Sequence, residues 1–398
     1  MADRICTFDD SLPRAVKAVF EHIPDLKDEN VRFIRDMSGQ IHVILHTEGS
    51  APDLTALRAT LASSLGPYSP GEAAGVILAH DAIEGEALFE EPVLIFVMDN
   101  RHVRVIERRA VGQDWVTAPA PEASHPPRTV FYSLKGGVGR STALLLCARH
   151  LAAEGYSVLV IDMDLEAPGL GAQMLHTEQQ PEFGVVDWLV EDIVGNANDA
   201  LVQDMIVESR LADQGLFVAP AFGNASKNAP ENVIAKLARA YLEGDENEAD
   251  EALFARRLRR MIEALEQQCR PDVVLIDSRA GLHETVAANI LHLNADVLLF
   301  AVDLPTTWQG YGFLLAHLRQ LAQSAETLGH ADQLGWRDRW KMVRARAVMS
   351  EADKQKFVSS AYAVWIDTLY ESSPADDGEA PEEDVFSFPE RDDAAPHW

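Results

Sequence analysis

Residues 131–142, which read FYSLKGGVGRST, combine the side chains and spacing that point most directly to a chemical role. An apolar run leads through closely spaced glycines and two cations, Lys135 and Arg140, to the hydroxyls of Ser141 and Thr142. Glycines let backbone N–H groups turn inward without a Cβ in the way, and a helix that begins near Gly139 directs its positive end to the same place. This combination predicts a phosphate cradle, and a nucleoside triphosphate is its natural occupant.

Two acidic motifs follow further along the chain. Residues 158–164, VLVIDMD, read as a buried strand that ends in Asp162 and Asp164, and residues 273–281, VVLIDSRAG, read as a second strand that ends in Asp277. The carboxyl ends of the strands in an open α/β sheet face the ligand. An apolar strand that ends in Asp is weak evidence alone, because such residues also cap helices. In this order, the three motifs together predict a site for a nucleotide and Mg²⁺.

The glycine-rich segment departs from the ordinary P-loop, G-x-x-x-x-G-K-[ST], because Leu134 stands at the first glycine and Arg140 at the lysine. It resembles the K-G-G-x-G-K-[ST] loop, a deviant Walker A motif, of the ParA/MinD family of dimerising ATPases in the SIMIBI class. Arg140 is the departure from that family. The resemblance runs over residues 128–370 and implies an α/β P-loop NTPase fold, with a mostly parallel sheet flanked by helices.

The resemblance also implies catalytic roles for three residues. Lys135 corresponds to the signature lysine, which reaches the nucleotide of the facing subunit so that ATP fastens two protomers together. Arg140 replaces the lysine that spans the β- and γ-phosphates, and Asp164 helps to position the attacking water. Arginine keeps its charge but is bulkier than lysine, so we expect nucleotide binding to survive the replacement better than the rate of hydrolysis.

The remaining implied roles concern the nucleotide and its metal. Ser141 places its hydroxyl on Mg²⁺, Asp277 holds the metal through water, and Gly281 donates its N–H toward the γ-phosphate. The nucleotide-binding residues implied by the resemblance are Gly136, Gly137, Val138, Gly139, Arg140, Ser141, Thr142 and Gly281.

Composition sets limits on the class of protein. The chain has 398 residues, of which 47% are hydrophobic, so it has room for proper cores and for more than one domain. The first residues do not resemble a signal peptide, and no apolar run approaches the ~20 residues that span a bilayer, which favours a cytoplasmic protein without a membrane role. Cys6, Cys147 and Cys269 form no C-x-x-C pair, so neither a zinc site nor an iron–sulfur carrier is indicated.

A formal net charge of −29 argues against a constitutive nucleic-acid binder, because phosphate contacts require clustered cations. Local basic runs at residues 101–109, 256–260 and 337–346 keep nonspecific DNA binding open. The favoured interpretation of these runs is that they are solvated helix faces paired with nearby acids.

We expect four regions. Residues 1–116 form a small α+β domain with strand-like segments at 41–45 and 93–98 and a hairpin at Asp99-Asn100, and this domain binds a partner or regulates. Residues 117–127 are a Pro/Ala-rich linker, and residues 128–370 are the ATPase-like domain. Residues 371–398 are an acidic tail for which disorder is the simplest interpretation.

Three functions are open at this stage. The leading one is a slow, Mg-ATP-dependent ATPase that acts as a nucleotide-gated homodimer switch and contacts an unknown protein partner through the N-terminal domain or the tail. The second is a nucleotide-binding scaffold that no longer hydrolyses ATP, for which Arg140 is the motivating residue. The third is a bacterial tyrosine kinase of the same P-loop branch, which the absence of a tyrosine-rich tail disfavours.

Overall fold

The computed structural model describes residues 5–47, 54–109, 112–120, 125–242, 253–347, 350–371 and 385–398. The chain divides into two compact units, one formed by residues 1–117 with 320–332 and the other by residues 118–319 with 333–398. In the predicted linker, Ala120 is buried and donates its N–H to the carbonyl of Leu291 at 3.1 Å, whereas residues 121–124 lie outside the described ranges. No helix in these ranges is long and apolar enough to cross a membrane.

The first unit is a five-stranded sheet with helices. Its strands run in the order β3-β2-β1-β5-β4, and a core of aliphatic side chains, with Phe33 among them, joins the sheet to the two longer helices. The hairpin predicted at Asp99-Asn100 is confirmed: both residues have positive φ, and β4 pairs antiparallel with β5. The elements are α1 (Phe8–His22), β1 (Val31–Arg35), β2 (Ile41–Leu45), α2 (Thr55–Leu65), α3 (Glu72–Gly75), β3 (Val76–Leu78), β4 (Leu94–Met98) and β5 (Arg101–Glu107).

The second unit is built on a seven-stranded sheet. Its strands run in the order β12-β11-β6-β10-β7-β9-β8, and every neighbouring pair is parallel except β8 with β9 at one edge. The elements are β6 (Arg128–Ser133), α4 (Arg140–Ala153), β7 (Val158–Met163), α5 (Leu170–Met174), α6 (Val185–Ile193), α7 (Asp199–Gln203), β8 (Val207–Glu208), β9 (Leu216–Ala219), α8 (Asn224–Asn228), α9 (Val233–Ala240), α10 (Phe254–Cys269), β10 (Val273–Ser278), α11 (Glu284–Leu291), β11 (Asp296–Ala301), α12 (Pro305–Thr327), β12 (Trp340–Arg344) and α13 (Glu351–Thr368). Residues 320–327 of α12 belong to the first unit.

This sheet confirms the predicted α/β fold and sets the position of the candidate site. The central strands β6, β10 and β7 are adjacent and parallel, so the segments that follow their carboxyl ends meet at one edge. These are the glycine-rich loop, the segment after Asp277 and the segment after Asp162. Side chains such as Val160, Leu275 and Phe131 are buried beneath that edge in the core and hold the three strand ends in register.

The end of the chain differs from the predicted disordered tail. Residues 372–384 lie outside the described ranges, but residues 385–398 pack onto the second unit. Phe386 and His397 are buried, the His397 ring shares a hydrogen bond with the hydroxyl of Tyr370, and the carbonyl of Pro396 accepts the N–H of Met342 on the edge strand β12. The prediction of disorder followed from the acidic residues and prolines of the tail, whereas its apolar end pairs with a sheet edge.

Candidate functional site

The glycine-rich loop connects β6 to α4 in a tight turn. Gly137 and Gly139 have φ values of 71° and 98°, a left-handed backbone that residues with a Cβ rarely adopt, so the two glycines are needed for the shape of the loop. The hydroxyl of Ser133 donates to the carbonyl of Lys135 at 2.9 Å and fixes the start of the turn. The first helical hydrogen bond, from the N–H of Ala143 to the carbonyl of Gly139, then begins α4.

The residue that departs from the ordinary P-loop at its first glycine has a packing role. A Cβ built on Gly310 of α12 would lie 2.8 Å from the Leu134 side chain, closer than such atoms normally approach. Leu134 therefore packs closely against the helix at Gly310, where a side chain would require Leu134 to shift. Sequence reasoning recognised Leu134 as a departure but gave no sign of its distant partner.

Arg140 is the centre of the site. Its guanidinium donates to Asp277 Oδ1 at 2.5 Å and to Asp164 Oδ2 at 3.0 Å, with a longer contact to the hydroxyl of Ser133 at 3.4 Å. The Arg140 side chain is only 8% exposed, so these charge-assisted hydrogen bonds are shielded from water. The structure thus brings together three of the predicted residues, but it directs Arg140 to the two carboxylates, whereas the prediction had it spanning phosphates.

Ser141 and Asp277 lie where two ligands of one Mg²⁺ ion are expected. The Ser141 hydroxyl donates to Asp277 Oδ2 at 2.5 Å, so both oxygens of this carboxylate have partners. Burial raises the pKa of Asp277 above its ordinary value, and the Arg140 guanidinium and the Ser141 hydroxyl offset part of that rise. A hydroxyl and a carboxylate oxygen are the donors that Mg²⁺ takes from a P-loop and its acidic strand end, so the residues present fit this metal.

A nucleotide-bound Mg²⁺ takes its other ligands from phosphates and water, so it does not require a dense cluster of protein ligands. Within the described ranges, no group of three or more His, Cys, Asp or Glu side chains is arranged to hold a metal ion. The donor set therefore fits a metal that arrives with its nucleotide better than a resident metal centre.

Gly281 lies at the site, but its N–H is engaged. It donates to the carbonyl of Ser133 at 3.0 Å, and the Gly281 carbonyl accepts from the hydroxyl of Tyr132 at 3.0 Å. This differs from the prediction that the N–H points toward a phosphate. The reason is local: Gly281 has a φ of 91°, and this backbone conformation turns the loop back onto the end of β6.

Lys135 and the opposite side of the glycine loop are held by residues that the sequence did not single out. The Lys135 ammonium donates to the hydroxyl of Thr306 in the first turn of α12, and Lys135 itself is exposed. Arg346, which follows β12, donates to the carbonyl of Gly137 at 2.5 Å. A cavity of about 120 Å³ beside the loop is lined by Lys135, Gly136, Val138, Phe300, Val302, Leu304, Thr307 and Arg346.

A polar network joins the segments that follow the two acidic strands. Glu166 accepts from the hydroxyl of Tyr241 at 2.6 Å and forms an ion pair with Arg279. Burial, together with the bond to Glu166, raises the pKa of the Tyr241 phenol well above its ordinary range, so the phenol stays protonated and donates. Sequence reasoning gave neither Glu166 nor Arg279 a role, because nothing local to either motif indicates the contact.

Asp162 is fully buried at the end of β7. Its carboxylate oxygens accept the N–H groups of Asp164, Gly169 and Leu170 at 3.1 to 3.2 Å. Burial and the neighbouring Asp277 raise the pKa of Asp162 to about 7, against the lowering effect of the backbone donors. Asp162 thus shapes the segment that carries Asp164, and it does so without a cationic partner among the described residues.

The basic runs are used within the fold. Arg257 is 2% exposed and pairs with Asp192 at 2.9 Å, and Arg260 pairs with the same carboxylate at 3.0 Å. Arg101 pairs with Asp28 at 2.8 Å in the first unit. Contacts of this kind leave fewer cations for a phosphate backbone than the sequence alone suggests.

Comparisons with known proteins give similarities over part of the chain. The solved structure of a plasmid partition protein from Borrelia burgdorferi is 19% identical over 50% of this chain and 75% of that chain, with a TM-score of 0.35. The cell division ATPase MinD of Pyrococcus furiosus is 21% identical over 49% and 68%, with a TM-score of 0.33. Cobyrinic acid a,c-diamide synthase from Mycobacterium smegmatis, solved with a bound ATP analogue and magnesium, is 19% identical over 51% and 69%, with a TM-score of 0.36.

No curated protein matches the chain in sequence. A family model described as AAA domain matches residues 129–328, which are half of the chain and include the glycine loop and both acidic strand ends. The motifs at Lys135–Thr142, Asp164 and Asp277 fall in their expected order within this match. The chain therefore belongs to the family described as AAA domain.

Proposed function

We propose that this protein is a slow Mg-ATP-dependent switch, in which ATP bound at residues 135–142 holds two copies of the chain together until it is hydrolysed. The observation that carries the proposal is the meeting of Arg140, Ser141, Asp164 and Asp277 beside the glycine loop. These residues supply phosphate donors, metal ligands and a carboxylate for the attacking water within hydrogen-bond distance of one another.

The site works by exchange of partners. Arg140 binds two carboxylates, and the phosphates of ATP compete with Asp277 and Asp164 for its guanidinium. Once released, Asp277 and Ser141 would hold Mg²⁺, which would supply positive charge to the phosphates of the nucleotide. Asp164, freed from the same guanidinium, accepts a hydrogen bond from water and orients it toward the γ-phosphate.

Two further donors have to exchange partners in the same step. The Lys135 ammonium leaves Thr306 to reach the nucleotide of the facing subunit, and the N–H of Gly281 leaves Ser133 to meet the γ-phosphate. Because both donors are held by the protein's own acceptors, the γ-phosphate has to displace contacts in two loops at once. An order of events of this kind links nucleotide state to loop conformation.

Dimerisation is tested by light scattering in Mg-ATP, Mg-ADP and no nucleotide. We expect a doubled mass in Mg-ATP alone and its loss in Lys135→Ala. Thr306→Ala is the matched control, because it removes the hydrogen-bond partner of Lys135 but keeps the lysine, and it should dimerise at least as well as the parent. A mass that is indifferent to nucleotide in the parent and in Thr306→Ala would contradict the dimer switch.

Hydrolysis is tested by phosphate release from the parent, Arg140→Lys and Asp164→Asn. Lysine restores the ordinary loop and no longer reaches two carboxylates with a planar fork, so we expect release to increase about tenfold, which is ~1.4 kcal/mol in the barrier. Asp164→Asn should abolish most of the release while Mg-ATP binding, followed by a fluorescent analogue, persists. Equal release from all three proteins would contradict the assigned roles.

A second candidate is a nucleotide-binding scaffold without hydrolysis. The observation that favours it is that Arg140 occupies Oδ1 of the metal-binding Asp277 and also binds Asp164. In that case the parent binds ATP and dimerises but releases no phosphate. The Arg140→Lys variant then releases phosphate although the parent does not. We do not propose the kinase alternative, since Tyr370 is 3% exposed and its hydroxyl is bonded to the His397 ring.

A further inference from the structure

A second cavity lies beside the candidate nucleotide site. It has a volume of about 470 Å³, within the range of sites for small molecules. It belongs wholly to the second unit and lies between α5 and the residues that connect β9 to α9. The lining residues are Asp162, Pro168, Gly169, Gly171, Ala172, Leu175, Thr177, Gln180, Pro220, Ala221, Phe222, Ser226, Lys227, Pro230 and Val233.

Most of the cavity wall is apolar. Leu175, Pro220, Phe222 and Val233 contribute the larger side chains, and Pro168 contributes a ring from the segment after Asp164. An apolar wall around a concave space favours an occupant with an apolar body, because contact removes the hydrocarbon of both from water. Water alone is a poor occupant of such a space.

Two neighbouring polar groups give the cavity one charged end. Ser226 is 4% exposed, and its hydroxyl has no hydrogen-bond partner within the described ranges. Buried hydroxyls are normally paired, so this one indicates a missing partner. Next to it, Lys227 is exposed and is the only cation among the lining residues. A hydroxyl donor beside an ammonium suits the oxygens of an anion.

Asp162, the acidic residue in the wall, is compatible with the binding of an anion. Both carboxylate oxygens of Asp162 are occupied by N–H groups of the chain segment that includes Gly169 and Leu170, and the residue has no exposed surface. Its charge is therefore turned toward the backbone, while Lys227 faces solvent at the rim. We propose that the cavity binds a small organic anion with an apolar body, its acidic group held by Ser226 and Lys227.

Because of the position of the cavity, a bound anion would contact the segment that carries Asp164. Its wall includes Pro168 and Gly169, which follow Asp164 by a few residues, and the N–H of Gly169 is one of the donors to Asp162. An occupant therefore contacts the same segment that positions Asp164, without occupying the glycine loop. Binding to the cavity itself requires no nucleotide, so it stands or falls separately from the proposed ATP switch.

The test uses 8-anilinonaphthalene-1-sulfonate, a fluorescent aromatic sulfonate, with the full chain and no nucleotide. We expect a saturable increase in fluorescence with one site per chain. Ala172→Trp adds a ring at an exposed position on the wall and should remove this site, and Lys227→Gln should weaken it by roughly tenfold. Decanoate should displace the dye more strongly than decanol, and Lys227→Gln should remove that difference.

Matched variants distinguish the cavity from general surface binding. Gln173→Trp places the same ring on the same helix at a residue that does not line the cavity, and Lys17→Gln removes an exposed lysine from the first unit. Both should bind the dye as the parent does, with unchanged denaturation midpoints confirming that every variant folds. The proposal is overturned if Ala172→Trp and Lys227→Gln bind like the parent, or if Gln173→Trp loses binding equally.

Discussion

Two buried arginines, Arg128 at the start of β6 and Arg140 after its end, differ in how they bind their carboxylate partners. Arg128 begins β6 and donates through two nitrogens to both oxygens of Glu266, at 2.7 Å each, and through a third to the carbonyl of Leu293. Arg140 follows the carboxyl end of β6 and divides its guanidinium between Asp277 and Asp164. One arginine has a single matched carboxylate, and the other is shared between two elements.

This difference indicates which of the two arginines can exchange its carboxylate partners for a ligand. A bidentate pair with its remaining donor satisfied has no better partner available, and it holds α10 against the start of the sheet. Asp277 lies near the end of β10 and Asp164 follows β7 directly, both at the ligand-facing edge, where a metal or a phosphate competes for the same groups. Similar chemistry therefore serves structure at the amino end of β6 and function at the carboxyl end.

The largest expected effect is on Arg128. Arg128→Ala leaves the carboxylate of Glu266 buried without its countercharge, and we expect a loss of about 3–5 kcal/mol in the free energy of unfolding. Urea denaturation measures it, with Arg149→Ala, an exposed arginine on α4, as the control that should change stability by less than about 0.5 kcal/mol. A loss as small as that of the control would show that the ion pair between Arg128 and Glu266 does not stabilise the fold.

Asp162 provides a third case, because it is a buried carboxylate that has no cationic partner among the described residues. Its pKa in the folded protein is about 7, above the ordinary value of 3.8 in the unfolded chain, so the folded state favours the protonated form. The stability it contributes is fully present below the unfolded pKa and is lost as the pH rises through about 7. Asp162 should thus lower the free energy of unfolding by about 2 kcal/mol between pH 5 and pH 8.

Other acids titrate over part of this range, so the measurement is a difference between two proteins. Urea unfolding of the parent and Asp162→Asn is compared at pH 5, 6, 7 and 8. The variant loses backbone acceptors and should be less stable than the parent at pH 5, with the gap narrowing as the pH rises. A gap that is constant across the series would show that Asp162 stays ionised in the folded protein.

The sequence predicted the parts of this site that depend on local pattern. Periodicity and glycine placement were sufficient to predict β6, the turn and the start of α4, and strand ends were sufficient to bring Asp164 and Asp277 to the same edge. The approach of Ser141 to Asp277 followed from the family motif. These features are determined within a few residues or by the sheet order that the family imposes.

What the sequence missed depends on long-range packing. The guanidinium of Arg140 has three possible acceptors, and its choice follows from the distance between two strand ends, which no local pattern reveals. Thr306 beside Lys135 and Gly310 beneath Leu134 come from one helix far along the chain. The docked segment 385–398 was hidden for the same reason, because its partner is the edge of β12.

Removal of Arg140 should change the free energy of unfolding less than removal of Arg128, and it tests directly whether this arginine can be exchanged for a metal. Arg140→Ala leaves Asp277 and Asp164 without their cation, but Asp277 keeps its hydrogen bond from Ser141 and the Asp164 side chain is 16% exposed, so we expect a loss of only about 1–2 kcal/mol in the free energy of unfolding. Millimolar Mg²⁺ should recover part of this loss, since a divalent ion stabilises whichever state binds it. Arg128→Ala should recover nothing, because the Glu266 carboxylate, unlike that of Asp277, has no hydroxyl bonded to it among the described residues with which it could share a metal ion.

Thermal denaturation with and without Mg²⁺ measures both variants, and Arg140→Ala combined with Asp277→Asn identifies the ligand. The combined variant should show no stabilisation by Mg²⁺, because it lacks the carboxylate that the metal shares with Ser141. If Mg²⁺ stabilised Arg128→Ala and Arg140→Ala equally, both arginines would be structural and the exchange mechanism would fail. Recovery confined to Arg140→Ala would mean that this arginine holds the place of the metal until the nucleotide brings it.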